Sequence, residues 1–186
     1  MKSLNTIQIL SKIGKIFSKV CYIMCIVGAC GCVVGIIALI VGEKAVEQSG
    51  MTLQGIMELE AGVSLGTVYS AIAVGLLLCA GEIAVSALAY RYFSHELEAG
   101  TPFTLDGANE LLRLGIHVIW IPIAATVAAQ IAHEIIDNLM VDVAPVKLSC
   151  DEVAVGVMFI VMSVLCRCGA ELIAAKSDEI TLTDNK

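Results

Sequence analysis

Four long apolar runs limit what this chain of 186 residues can fold into. They extend over residues 20–41, 65–90, 114–136 and 153–175. The hydrocarbon core of a bilayer is about 30 Å thick, and an α-helix needs roughly 20 mostly apolar residues to cross it. The core of a soluble domain accounts for one such run but not for four. The sequence therefore predicts an all-α integral membrane protein, a four-helix bundle that forms a single membrane domain over residues 1–186.

Composition agrees with that prediction. Hydrophobic residues make up 58% of the chain and charged residues 16%, against roughly 45–50% and about 25% in soluble proteins. The first apolar run is longer than the ~7–15 residues of a signal-peptide core and lacks a small-x-small cleavage site. It is therefore predicted to be a membrane span. The cysteines in or against the spans are predicted to act as small packing residues.

Lysine and arginine residues concentrate at one end of the predicted spans. That end has Lys2, Lys12, Lys15, Lys19, Arg91, Arg113, Arg167, Lys176 and Lys186, whereas the other has Lys44 and Lys147. Because positive residues favour the cytoplasmic side, both termini and the loop 91–113 are predicted to be cytoplasmic. Loops 42–64 and 137–152 are then extracytoplasmic. The net charge of −7 comes from acids on both sides, so it gives no indication of a nucleic-acid partner.

The segment before the first span, residues 4–19, is amphipathic. One helical face carries Ile9, Ile13, Ile16, Phe17 and Val20, and another carries Lys12, Lys15 and Lys19. This pattern is typical of an interfacial helix on anionic lipid. It equally fits the solvated first turns of one long helix, and the sequence leaves the two interpretations open.

Small residues recur at helical spacing within the spans, as in Gly31-x-x-x-Gly35 and Gly62-x-x-x-Gly66. Such spacing lets helix backbones approach closely in a membrane. It predicts a compact bundle and is compatible with a homo-oligomer, but it does not indicate which helices touch.

Polar residues inside the spans are the candidate functional residues, because a charge at the bilayer centre costs about 2.5–3.5 kcal/mol. The predicted intramembrane cluster is Glu82, His117, Arg167 and Glu171, with Glu82 roughly 12 Å from the cytoplasmic end of its span. One interpretation is structural, with Arg167 pairing with Glu82 and with Glu171. The alternative is a proton- or cation-responsive site in which Glu82 and His117 titrate. A second set at the far end of the third span (Gln130, His133, Glu134 and Asp137) is interpreted as capping and solvation. No metal or other cofactor is predicted.

The loop sequence Gly100-Thr-Pro-Phe-Thr104 predicts a turn followed by a new helix. Gly100 is expected to cap the preceding helix, and Pro102 favours extended backbone before it. Thr104 is expected to be the N-cap of the next helix, and Phe103 to pack on that helix or on the bundle.

The same residues carry a family resemblance. Tyr90-Arg-Tyr-Phe93, the Gly100–Thr104 segment, Asn109, Leu112 and Gly115 are followed by a tail with Gly169-Ala-Glu-Leu172 and Ser177-Asp-Glu-Ile-Thr-Leu182. The chain thus resembles the YoaS-like family of small four-span bacterial membrane proteins, a domain of unknown function. It departs from the family at Ile173-Ala-Ala, where polar residues are more usual. The resemblance implies the four-span topology and a bacterial inner-membrane location. It implies no activity, although the regulators often encoded nearby suggest a role with a membrane partner in signalling or stress response.

The sequence shows no nucleophile–base pair, phosphate-binding glycine loop or cysteine metal knuckle, so an enzyme is not predicted. The favoured hypothesis is a regulatory or interaction protein whose partners are the lipid bilayer and a cytosolic or membrane protein. One alternative is a small oligomeric transporter or channel that uses Glu82, His117 and Arg167. Another is an immunity-type membrane protein.

Overall fold

The computed structural model describes residues 2–47, 64–100, 104–140, 143–145 and 152–184. Within these ranges all regular structure is helical, and the all-α prediction is confirmed there. The four helices are α1 (Lys2–Glu47), α2 (Leu65–Ala99), α3 (Leu105–Leu139) and α4 (Glu152–Asp184). Pro102 and Phe103 of the loop motif lie outside the described residues, as do most residues of loops 42–64 and 137–152.

Each helix extends beyond the apolar run that predicted it. The amphipathic segment 4–19 and the span 20–41 form one continuous helix, α1, of 46 residues. α2 and α3 have 35 residues each, which corresponds to about 52 Å, well above the ~30 Å of a bilayer core. All four helices are long and apolar enough to cross a membrane.

The helices bury an apolar core but also leave many large apolar side chains exposed. The buried polar side chains are small hydroxyl residues, namely Ser11, Ser18, Ser70, Ser86, Thr126 and Ser163. Large apolar side chains are exposed along the helices, among them Ile13, Phe17, Met24, Val34, Trp120, Met158, Leu165 and Leu172. From residue 20 to residue 41 of α1 no side chain is buried. Small residues at helix contacts and large apolar residues on the outer surface are what packing in lipid favours.

The connection from α2 to α3 has the caps that its sequence predicts. Gly100 has a φ of +73°, and its N–H donates to the carbonyl of Glu96 at 3.1 Å. The Thr104 hydroxyl oxygen accepts a hydrogen bond from the N–H of Gly107 at 3.0 Å. Because glycine adopts positive φ without the steric cost of a side chain, Gly100 ends α2 while Thr104 starts α3.

The chain divides into two compact units. The first unit comprises Met1–Cys21, Ala84–Ile121 and Asp151–Lys186, and the second comprises Tyr22–Ile83 and Pro122–Cys150. The core of the first unit consists of Tyr92, Ala108, Leu111, Leu114, Val118 and Cys166. The prediction of a single domain stays a prediction.

In the first unit α3 and α4 meet backbone to backbone at two glycines. A Cβ atom at Gly115 would lie 3.0 Å from the carbonyl oxygen of Gly156 and 3.0 Å from the amide nitrogen of Ile160. A Cβ atom at Gly156 would lie 3.0 Å from the carbonyl oxygen of Gly115 and would collide with the side chain of Ile119. Neither position has room for a side chain.

The second unit has its own close contacts. A Cβ atom at Gly66 would lie 2.9 Å from the Cβ of Met140, and the Thr67 hydroxyl oxygen accepts a hydrogen bond from the N–H of Ala144 at 3.0 Å. Of the predicted pair Gly31 and Gly35, only Gly35 has a neighbour, since nothing lies within 4 Å of a Cβ built at Gly31. Gly62 lies outside the described residues.

A charged cavity as the candidate functional site

The first unit contains a cavity of about 480 Å³ at the end of α2 and the start of α3. Four of its lining side chains are arginine or histidine and two are glutamate. The lining residues are Leu88, Arg91, Tyr92, Ser94, His95, Glu98, Glu110, Arg113, Leu114 and His117.

Helical periodicity places these residues on one face of each helix. On α2 the lining positions 88, 91, 95 and 98 are spaced by three or four residues, and on α3 the positions 110, 113, 114 and 117 follow the same spacing. Residues three and four apart lie on the same side of an α-helix. The cavity is therefore formed by two facing helix surfaces that the turn at Gly100 brings together.

The register of these two surfaces follows from one contact. His95 Nδ1 lies 2.8 Å from Glu110 Oε2. α2 and α3 run in opposite directions across their short connection. The residue one turn before His95 on α2 therefore lies opposite the residue one turn after Glu110 on α3. By the helix rise, the backbone of Arg91 lies about 6 Å and that of Arg113 about 4.5 Å deeper towards the apolar stretches than the His95–Glu110 pair, so the two arginines start from similar levels.

The charges of the cavity are separated along its length. The two carboxylates, Glu98 and Glu110, lie at the polar end, and Glu110 is engaged by His95. Arg91 and Arg113 take part in neither of the described contacts with a carboxylate, which are the hydrogen bond His95–Glu110 and the ion pair Arg167–Glu171. Arg91 and Arg113 therefore contribute two positive charges at the deeper level, each without a described carboxylate within 4.0 Å.

His117 lies one turn further along α3 than Arg113. Its Nδ1 is 2.6 Å from the carbonyl oxygen of Arg113, so this nitrogen carries the proton and donates it. The hydrogen bond fixes the ring and leaves Nε2 as the nitrogen available to a ligand.

The N-terminal segment of α1 is docked on the same end of α2. The Ser11 hydroxyl donates to Glu96 Oε1 at 2.8 Å, and Gln8 Nε2 donates to the carbonyl of Gly100 at 3.3 Å. A Cβ atom at Gly14 would lie 2.7 Å from the ring of Phe93. The small and polar face of the segment thus contacts protein. The predicted apolar face is exposed, at Ile9, Ile13, Ile16, Phe17 and Val20.

Of the predicted intramembrane cluster, the structure shows one contact and one position in the cavity. Arg167 Nε and Glu171 Oε1 are 3.3 Å apart, as the spacing i,i+4 predicted. His117 lines the cavity, and Glu82, which has interactions of its own, belongs to the second unit. The pairing of Glu82 with Arg167 and the titration of Glu82 and His117 stay predictions. Asn109 of the loop motif is exposed on α3.

Sequence reasoning counted Arg91 and Arg113 only towards orientation and did not assign His95. The available signal was the shared helical spacing of basic residues on either side of the Gly100 turn. This spacing identifies a site only when the register between α2 and α3 is known.

In the second unit, the hydroxyl of Ser70 and Nδ1 of His133 are 2.6 Å apart, a serine–histidine contact that the sequence did not predict. The Ser70 side chain is 1% exposed, so a substrate has no access to its oxygen. The contact is therefore interpreted as an interhelical hydrogen bond of the kind that stabilises membrane helices.

No group of three or more His, Cys, Asp or Glu side chains in the described ranges is placed to hold a metal ion. The seven cysteines of those ranges are free thiols.

Comparison with known proteins adds no identification. No protein-family model matches the chain, and no curated protein or solved structure resembles it significantly. Membership of the YoaS-like family stays a prediction that rests on the loop and tail motifs.

Proposed function

We propose that the chain is a multi-pass protein of the bacterial inner membrane, with four spans, both termini cytoplasmic, and a regulatory or interaction role. The observation that carries the membrane assignment is the exposed apolar surface of four helices that are each long and apolar enough to cross a membrane. Large apolar side chains cover the exposed faces of helices whose buried polar residues are serine and threonine. In water, apolar patches of this extent drive association, whereas in lipid they are the favourable surface.

The orientation is supported by where the positive charges lie. Every lysine and arginine in the described ranges belongs to the first unit except Lys44. The cavity, the docked N-terminal segment and the α2–α3 turn belong to that unit too. Since positive residues favour the cytoplasmic side, this polar end is assigned to the cytoplasm.

The interaction role is favoured over transport by the state of the polar groups. Arg167 is paired with Glu171, His117 donates to its own helix, and Glu82 has interactions of its own, so the groups invoked for transport already have partners. The cavity and the docked segment form a structured surface at the assigned cytoplasmic end, which is what a regulatory contact requires.

Membrane integration and orientation are tested together. In bacterial membranes the protein is expected to resist alkaline carbonate extraction. In a cysteine-free variant, Lys44→Cys is expected to react with an impermeant maleimide added outside the cells, and Asn109→Cys only after permeabilisation. Release by carbonate would contradict membrane insertion, and the reversed labelling pattern would contradict the orientation.

The interaction role is tested by photo-crosslinking in the same membranes. A photoreactive amino acid at the exposed position Asn109 is expected to capture one specific cytosolic or membrane protein. The matched control is the same amino acid at Lys44, which is exposed at the opposite end of the spans. Identical products at both positions, or none at Asn109, would contradict the proposed role.

A further inference from the structure

We propose that the cavity between α2 and α3 is a binding site for a phosphate group, held by Arg91 and Arg113. The inference rests on the proposed membrane location, which makes a phospholipid headgroup the nearest source of that group.

The first observation is that the two arginines lie at similar levels on facing helices. His95 and Glu110 are in contact, which sets Arg91 and Arg113 at similar heights on facing helices of the same cavity. Both side chains line this cavity and are exposed, so both are accessible to a ligand bound in it. Guanidinium groups bind phosphate oxygens through paired, charge-assisted hydrogen bonds.

The second observation is the absence of competing acids at that level. Glu110 is engaged by His95, and Glu98 lies further out on α2. Among the described residues neither arginine has a carboxylate in ion-pair distance. Arg91 and Arg113 are therefore positive charges of the cavity that no described carboxylate contacts, and they favour an anion at their own level.

The third observation is the position along the chain. Arg91 directly follows the apolar run 65–90, and Arg113 directly precedes the run 114–136. Both therefore lie at the predicted boundary between hydrocarbon and water, where lipid phosphates are located. Leu88 and Leu114 line the cavity beside them and suit the apolar part of a lipid. A volume of about 480 Å³ falls within the ~300–1,000 Å³ usual for ligand pockets.

The test compares wild type with the double variant Arg91→Gln/Arg113→Gln, purified in neutral detergent. Native mass spectrometry with phosphatidylglycerol added in steps is expected to show saturable binding to wild type. Binding to the variant is expected to be at least about tenfold weaker, because two charge-assisted contacts are lost. The control is Lys44→Gln/Arg167→Gln, which removes the same charge from exposed positions outside the cavity and is expected to bind like wild type.

A second measurement needs no variant. In wild type, saturating phosphatidylglycerol is expected to protect Arg91 and Arg113 from phenylglyoxal, while Arg167 remains reactive. A parallel titration with inorganic phosphate distinguishes the sources. Protection by the lipid alone assigns the site to a headgroup, and protection by inorganic phosphate assigns it to a soluble phosphate.

The proposal is overturned if neither compound protects the two arginines. Equal lipid binding by both double variants would also overturn it. These measurements use detergent-solubilised protein and therefore test the phosphate site separately from membrane insertion. If the protein resists carbonate extraction but binds neither compound, the phosphate site alone is rejected. Release by carbonate would instead remove the membrane assignment.

Discussion

Gly156→Leu is expected to separate α3 from α4 and to destabilise the first unit severely. A Cβ atom at this position would collide with Ile119 and lie 3.0 Å from the carbonyl oxygen of Gly115. The backbone oxygen moves only if the helices part, so rotamer changes do not relieve the contact. Overpacking of this kind costs about 1–3 kcal/mol and occasionally more. Gly115→Leu is expected to have a similar effect, because its Cβ would lie 3.0 Å from the backbone nitrogen of Ile160. Unfolding in a titration from mild detergent to SDS measures the loss.

The matched control for both variants is Gly31→Leu. Gly31 is also a glycine in a long apolar helix, but nothing lies within 4 Å of a Cβ built there. Its substitution is expected not to lower the free energy of unfolding and to raise it by up to about 1 kcal/mol, because leucine has a higher helix propensity than glycine. Equal loss of stability in Gly31→Leu and Gly156→Leu would show that an effect common to both substitutions, such as altered membrane insertion, and not the glycine contact, determines the loss.

The helices and their caps were predictable because their causes are local. Four apolar runs and the positions of Gly100 and Thr104 suffice to predict four helices and the place where α2 ends and α3 begins. The length of each apolar run underestimates the length of its helix. Backbone hydrogen bonding continues beyond the apolar stretch into polar residues such as His95 and Glu110.

The contacts between helices were not predictable, because spacing alone does not select partners. Gly31-x-x-x-Gly35 has the favourable pattern, yet no atom approaches Gly31. The contact between Gly115 and Gly156 joins glycines on different helices, and neither belongs to the small-residue motifs that the sequence displays.

The candidate site required the register between α2 and α3. Arg91 and Arg113 are separated by 22 positions in the sequence. From the sequence alone they are interpreted as the charges that flank two different spans. Only the contact between His95 and Glu110 places them opposite each other. The predicted cluster around Arg167 was correct for its i,i+4 pair with Glu171, since that contact lies within one helix.

Glu96→Ala is expected to release the N-terminal segment of α1 from α2. The carboxylate of Glu96 accepts the 2.8 Å hydrogen bond from Ser11, whose side chain is 5% exposed. Hydrogen bonds to charged groups contribute about 1.5–3 kcal/mol, which corresponds to roughly 10- to 150-fold in the population of the undocked segment. Hydrogen exchange measured by mass spectrometry on peptides covering residues 8–18 is expected to accelerate by that order.

Glu98→Ala provides the comparison, because Glu98 is an exposed acid on the same last turns of α2 and has no described hydrogen bond to α1. Exchange in residues 8–18 is expected to match wild type in that variant. Ser11→Ala is expected to accelerate exchange less than Glu96→Ala does. In the double variant Ser11→Ala/Glu96→Ala the two accelerations should not add in full, since both substitutions remove the same contact. Equal exchange in Glu96→Ala and Glu98→Ala would mean that lipid contact through Ile13 and Phe17, rather than docking on α2, holds the segment in place.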